Sequence, residues 1–227
     1  MDPSSLQYRL TDEERQTFDQ TGLLTIPNAL AAEQVEELRT LTDQVYAGKV
    51  AAGHDERTAL FYPNFIPDSP LFADLVDYPT VLPKVWGILG WNIYLYHAHM
   101  IVTPPSGKTR DDATFGWHQD SGRVNMEMEG HPRPRLSLKV AFFLSDISEP
   151  GRGNFWVIPG SHLHDTWSDP PMVRDNPKAP CRCWRSPALP CCSTAACGTR
   201  PAQTGPTSRA KCFSMATVTA GFVPRTI

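Results

Sequence analysis

A chain of 227 residues with 41% hydrophobic and 20% charged residues is long enough for one packed soluble domain. Its net charge of −3 argues against a nucleic-acid partner, and no apolar run is long enough to span a bilayer. The opening MDPSSLQYRL lacks the basic-then-apolar pattern of a secretory signal, so a cytoplasmic protein without membrane association is expected.

Thr11-Asp12-Glu13-Glu14 is a capping-box pattern, in which the Thr hydroxyl accepts from first-turn amides while Glu14 reaches back to the Thr11 amide. It predicts a short helix to about Gln20, stopped at Gly22. LLTIPN then reads as a strand ended by Pro27. Val35, Leu38, Leu41, Thr42 and Val45 recur at helical spacing, which predicts an amphipathic helix with Gly48 near its end. Residues 71–90 have apolar spacing near 3.6 broken by Pro79 and Pro83, so one or two further helices are expected. NIYLYHAHMIVTPP, LSLKVAFFLSDI and NFWVIPG are rich in β-branched and aromatic residues and read as strands. Helices followed by a run of strands imply an α+β domain whose β part is a sandwich or open barrel.

The composition breaks near Asn176-Pro177. Residues 1–177 carry 14 Lys+Arg against all 24 Asp+Glu of the chain, a balance of −10, whereas residues 178–227 carry 7 basic residues, no acidic ones and all six cysteines. The expected organisation is therefore a domain over 1–177 and a Cys-, Pro- and Arg-rich tail over 178–227. The tail shows no periodic apolar pattern. Its cysteines lack the paired Cys-x-x-Cys spacing of a zinc site, and disulfides conflict with a cytoplasmic protein.

Chemistry concentrates in His118-Gln119-Asp120, within FGWHQDSG and between two predicted strands. One imidazole and one carboxylate are two thirds of the 2-His-1-carboxylate face that holds non-heme Fe(II). The plain alternative is a surface loop in which Asp120 caps a turn. His97 and His99 alternate on one strand and share a face, within reach of one metal or packed structurally beside Tyr94 and Tyr96. His164 and Asp165 read as solvated loop residues. Arg133 and Arg135, set between prolines, either meet an anionic substrate or form an exposed loop.

Four strings in order, TGLLTIPNALAAEQVEELR, IVTPPSG, FGWHQDSG and GRGNFWVIPGSHLH, resemble the phytanoyl-CoA dioxygenase family of Fe(II)- and 2-oxoglutarate-dependent oxygenases. The resemblance covers residues 11 to 167. It implies a double-stranded β-helix (jelly-roll, cupin-like) core with flanking N-terminal helices, and His118 and Asp120 as iron ligands. It implies that 2-oxoglutarate chelates the iron beside this motif, with Met100 and Gln119 lining its pocket, and that O2 and a small-molecule substrate complete the reaction. Asp120 fills the coordination position that a related halogenase leaves open for chloride, so hydroxylation is expected. In the family His162 belongs to a structural turn. The family's second histidine and an arginine for the far carboxylate of 2-oxoglutarate lie downstream, where this chain has no histidine beyond His164.

Joining each codon's last base to the next codon's first two permits CCSTAACGTR to be reread as Leu-Phe-Asp-Arg-Arg-Leu-Trp-His-Ala. The same offset yields an arginine further on. The tail is therefore read as a single-nucleotide frameshift starting near Lys178. Such a chain is expected to be unstable or inactive, to leave open strand edges, and to be poorly ordered in its tail. The alternatives are a non-catalytic jelly-roll module that binds a small molecule, and an enzyme that completes its site with His97, His99 or His164.

Overall fold

Thr11 opens the first helix as its sequence requires: its hydroxyl accepts from the Glu14 amide at 3.2 Å, and the Glu14 carboxylate accepts from the Thr11 amide at 2.9 Å. The helix, α1, runs Asp12–Thr21 and ends at Gly22, whose φ of 73° is left-handed, a conformation that glycine adopts without Cβ strain. The computed structural model describes residues 2–105, 117–118, 127, 135, 137–147, 153, 155–157, 159–163, 181–183, 190–193, 197–198 and 209–219, with backbone alone for 117–118, 156, 181–183, 190–193, 197–198, 210 and 212–219.

Strand β1, Leu23–Thr25, follows, then the long helix α2, Ala32–Ala51. Val35, Leu38, Thr42 and Tyr46 are its buried positions; of the expected stripe, Leu41 and Val45 are only partly buried, and Tyr46 takes an inward place outside it. The helix passes Gly48 by three residues. Buried Thr42 satisfies its hydroxyl by donating to the Leu38 carbonyl at 2.6 Å. Strand β2 is Leu60–Pro63; α3 is Pro70–Ala73 and α4 is Leu82–Leu89. Both helices carry proline in their first turn, where no intrahelical amide donor is needed. Pro83 therefore helps to begin a helix that the apolar spacing alone predicted it to break.

The remaining elements are strands β3 (Ile93–Thr103), β4 (Trp117–His118), β5 (Ser137–Phe143), β6 (Phe155–Val157), β7 (Cys181–Cys183), β8 (Pro190–Ser193), β9 (Cys197–Gly198) and β10 (Ala210–Thr219). They form two antiparallel sheets, one in the order β1-β8-β5-β10-β3-β2 and one in the order β4-β9-β6-β7. The mixed α and β architecture agrees with the class expected from the sequence. The sequence reading names no strand after residue 177, whereas four of these strands lie there. Strand β10 fills the gap between β3 and β5, so neither has an open edge along the paired residues. A backbone ladder asks of a segment only extended geometry and free amides, and the run Phe213, Met215, Thr217 on alternate positions is compatible with it.

One face of the larger sheet is backed by the helices. Met100, Val102, Leu138, Val140 and Phe142 share a buried cluster with Phe18 of α1, Leu38 and Tyr46 of α2, Phe72 of α3 and Val85 and Ile88 of α4. The opposite face meets the second sheet through Ala141, Phe143, Ile147 and Val157, with Leu23 and Phe155 beside them. Alternation along β3 is interrupted once. Ala216 pairs with His97 and Thr217 with Leu95, so Tyr96 is an extra residue, a bulge. Ile93 and Leu95 reach the helix-backed cluster before it, and Ala98, Met100 and Val102 after it. His97, His99 and Ile101 are thereby turned toward the side of the second sheet.

Candidate functional site

His118 closes β4, an edge strand of the smaller sheet. Its backbone stands opposite Cys197 of β9, and Trp117 stands opposite Gly198. Cys197 in turn faces Val157 of β6, which faces Cys181 on the other side. Gln119 and Asp120 lie outside the described residues, as do Arg133, His164 and Asp165. Among the described residues no group of three or more His, Cys, Asp or Glu side chains stands close enough to hold a metal ion.

Met100 is fully buried at 0% exposure. It lies in register between Tyr62 and Phe213, on the helix-backed side, where its thioether packs among apolar side chains. Its two strand neighbours His99 and Ile101 take the opposite face.

His97 and His99 are brought together. Nδ1 of His99 is 2.8 Å from Nε2 of His97, a hydrogen bond in which one ring donates and the other accepts. Phe61 of β2 lies over both rings, with centroids 4.3 Å from His99 and 6.3 Å from His97. His99 is buried and His97 half-buried. A sign of this arrangement was present in the sequence: the polar-aromatic phase falls on Tyr94 and Tyr96 and then moves to His97 and His99, the one-residue slip that a bulge produces.

The turn at residues 159–163 is fastened to the end of α1. The Gly160 amide donates to the Thr21 carbonyl at 3.0 Å, and Nε2 of His162 lies 3.1 Å from the Asp19 carbonyl oxygen. A Cβ on Gly22 would come within 2.5 Å of Nδ1 of His162, so both the space and the positive φ call for glycine. His162 serves a turn, as the sequence reading expects. Arg135, from the proline-flanked loop, pairs with Asp19 and lies over the Phe18 ring, an anchor of that loop on α1. Glu14 pairs with Lys84 of α4 at 2.7 Å. Burial pushes the Glu14 carboxyl up, but hydrogen bonds from the Lys84 ammonium and the Thr11 amide outweigh it and hold the group below its ordinary value.

Residues 18–204 match the family described as Phytanoyl-CoA dioxygenase (PhyH). The chain belongs to the phytanoyl-CoA dioxygenase family. The ectoine dioxygenase of Stutzerimonas stutzeri (strain A1501) is 29% identical over 154 residues, which make up 65% of this chain and 49% of that relative, so this chain spans about half its length. Among solved structures, HygX from Streptomyces hygroscopicus, with nickel and 2-oxoglutarate bound, superposes with a TM-score of 0.72 at 20% identity, over 95% of this chain and 89% of that one. EctD from S. alaskensis, with 2-oxoglutarate and 5-hydroxyectoine, gives a TM-score of 0.70 at 18% identity, over 92% and 76%. These likenesses establish a shared fold. Among the described residues of this PhyH-family chain, no helix is long and apolar enough to cross a membrane.

Proposed function

We propose that this chain carries the scaffold, and two of the three iron ligands, of an Fe(II)- and 2-oxoglutarate-dependent dioxygenase that hydroxylates a small molecule, and that the chain as written is inactive. The scaffold is a double-stranded β-helix whose two sheets face one another, and the ligands are His118 and Asp120, with Gln119 near the cosubstrate; the Met100 side chain, buried on the helix-backed face, is turned away from that pocket. The observation that carries this reading is the family match across residues 18–204, which includes His118-Gln119-Asp120. Neighbours of the same fold hold nickel with 2-oxoglutarate, iron, or 2-oxoglutarate with 5-hydroxyectoine, which supports the cofactor assignment.

The donor set fits iron only in part. One imidazole and one carboxylate leave the third ligand position to water, and residues 178–227 contain no histidine. Bound to a complete face, Fe(II) with 2-oxoglutarate and O2 supplies the oxidising power for C–H hydroxylation. No step of that kind is assigned to this form. The position opposite His118 is nonetheless informative: it is Cys197, beside Gly198, and the stretch Cys197-Gly198-Thr199 is where the genetic code permits the offset frame to spell Trp-His. A strand that the fold places beside the His118 strand is the strand on which the missing histidine would be restored. We therefore read residues 178–227 as the product of a single-nucleotide shift near Lys178, in a segment whose strands β7–β10 pair within both sheets.

The test is to restore the offset frame from Lys178 and measure succinate release from 2-oxoglutarate beside iron binding. The restored chain is expected to turn over at about 1 s⁻¹ or faster, and the 227-residue form at background. Succinate release by the present form, or codons at residues 197–199 that do not spell TGG-CAC in the shifted frame, overturns the reading. The absent histidine also favours a second reading, a module that binds a small molecule without redox chemistry. Iron titration separates the two: Asp120→Ala weakens iron binding in the first and changes nothing in the second.

A further inference from the structure

We infer that His97 and His99 form a second, independent transition-metal site, a two-imidazole chelate on β3 that prefers Cu(II), Ni(II) or Zn(II). The two nitrogens that face each other, Nδ1 of His99 and Nε2 of His97, are 2.8 Å apart. Two imidazole ligands about 2.0–2.1 Å from one ion, at roughly a right angle, are separated by about that distance. The pair is therefore spaced for one ion once each ring turns its lone pair from the hydrogen-bond line toward a shared point. Both histidines follow the bulge at Tyr96 and lie two residues apart on one strand, so they share a face. Phe61, stacked on both rings, limits their rotation and reduces the ordering that binding requires.

The proton of the hydrogen bond does not obstruct a metal. A neutral imidazole carries one proton, and moving it from the facing nitrogen of the donor ring to that ring's other nitrogen exposes two lone pairs without net proton release. Imidazole donors suit copper, nickel and zinc, with copper(II) the tightest of the divalent first-row ions. No third His, Cys, Asp or Glu stands with them among the described residues. An approach exists beside Phe61, which is 55% exposed, and half-buried His97. The pair is carried by the larger sheet and His118 by the smaller one, and the His118→Ala variant tests whether the two sites are separate.

The full-length chain, stripped of metal, is titrated with Cu(II) near pH 7.5 and followed by electron paramagnetic resonance and by calorimetry. The expected result is a two-nitrogen Cu(II) signal in the wild type that persists in His118→Ala, where Cu(II) at the His118 ligand is removed, and an affinity of that signal lower by about tenfold or more in His97→Gln. His99→Gln, checked for folding by circular dichroism, is expected to match His97→Gln. Binding weakens as pH falls through the imidazole range, since protons and metal compete for the same nitrogens. A spectrum without two nitrogens, an unchanged affinity in His97→Gln, or loss of the signal in His118→Ala overturns the inference.

Discussion

The residues before Lys178 and those after it contribute to the same sheets in different ways. Before it, local sequence, capping, burial and charge agree: α1 has its capping box, α2 its buried stripe, and β5 its alternation into two clusters. After it lie no acidic residues and all six cysteines, yet β10 occupies a central place between β3 and β5. A strand position asks for extended backbone and paired amides, which many sequences supply. A ligand position asks for one particular atom, and the strand opposite His118 offers Cys197 and Gly198. Fold and chemistry therefore tolerate altered sequence to very different degrees.

The strongest way to break this comparison is to remove the tail strand. A chain ending before Ala210 leaves β3 and β5 unpaired where β10 had joined them, and it is expected to lose its soluble monomer entirely, read by size-exclusion chromatography. A truncated chain that elutes as a folded monomer shows that β10 contributes nothing. On the other side of the boundary, Phe142 is fully buried in the helix-backed cluster. Phe142→Ala should cost about 3–5 kcal/mol in chemical denaturation, and a value under about 1 kcal/mol would mean that this core is not packed.

Lys84→Ala tests the ion pair that joins α1 to α4. It leaves a partly buried Glu14 without its ammonium, at a cost of roughly 2 kcal/mol near neutral pH. The pH dependence has a fixed sign. The Glu14 carboxyl is held below the 4.5 of a free glutamate, so its contribution is present above that value and is lost as pH falls through the folded-state value. Acid denaturation profiles of wild type and Lys84→Ala should therefore converge at low pH, and parallel profiles down to that range count against the pair. The smallest effect is expected where the tail meets α2. Lys211 Nζ lies 2.6 Å from Asp43, but Asp43 is 59% exposed, so Lys211→Ala should cost about 1 kcal/mol. A change of several kcal/mol would show that the tail is integrated as firmly as the helices.

Sequence patterns located most elements because each is written in a local code. Thr11 and Glu14 fix a helix start, Gly22 its end, and Val35, Leu38 and Thr42 an inward face. Pro83 was read as a breaker because its position within the first helical turn is visible only once the helix exists. The strand Ala210–Thr219 went unnamed because a run with threonine and serine among its apolar residues has no strong period of its own. At the site, His118-Gln119-Asp120 stood out through its flanking residues. His97 and His99 share a face by strand alternation, but which face they take depends on the bulge at Tyr96, which exists only through pairing with β10.

What the sequence by itself determined is the family, the helices before residue 90 and the fact that histidine is absent from residues 165–227, since these depend on residue identity and short-range spacing. Which segments become neighbours was decided by tertiary structure alone. Cys197 opposite His118 and β10 between β3 and β5 follow from hydrogen-bond registers that join residues distant in the chain, and no local pattern encodes them.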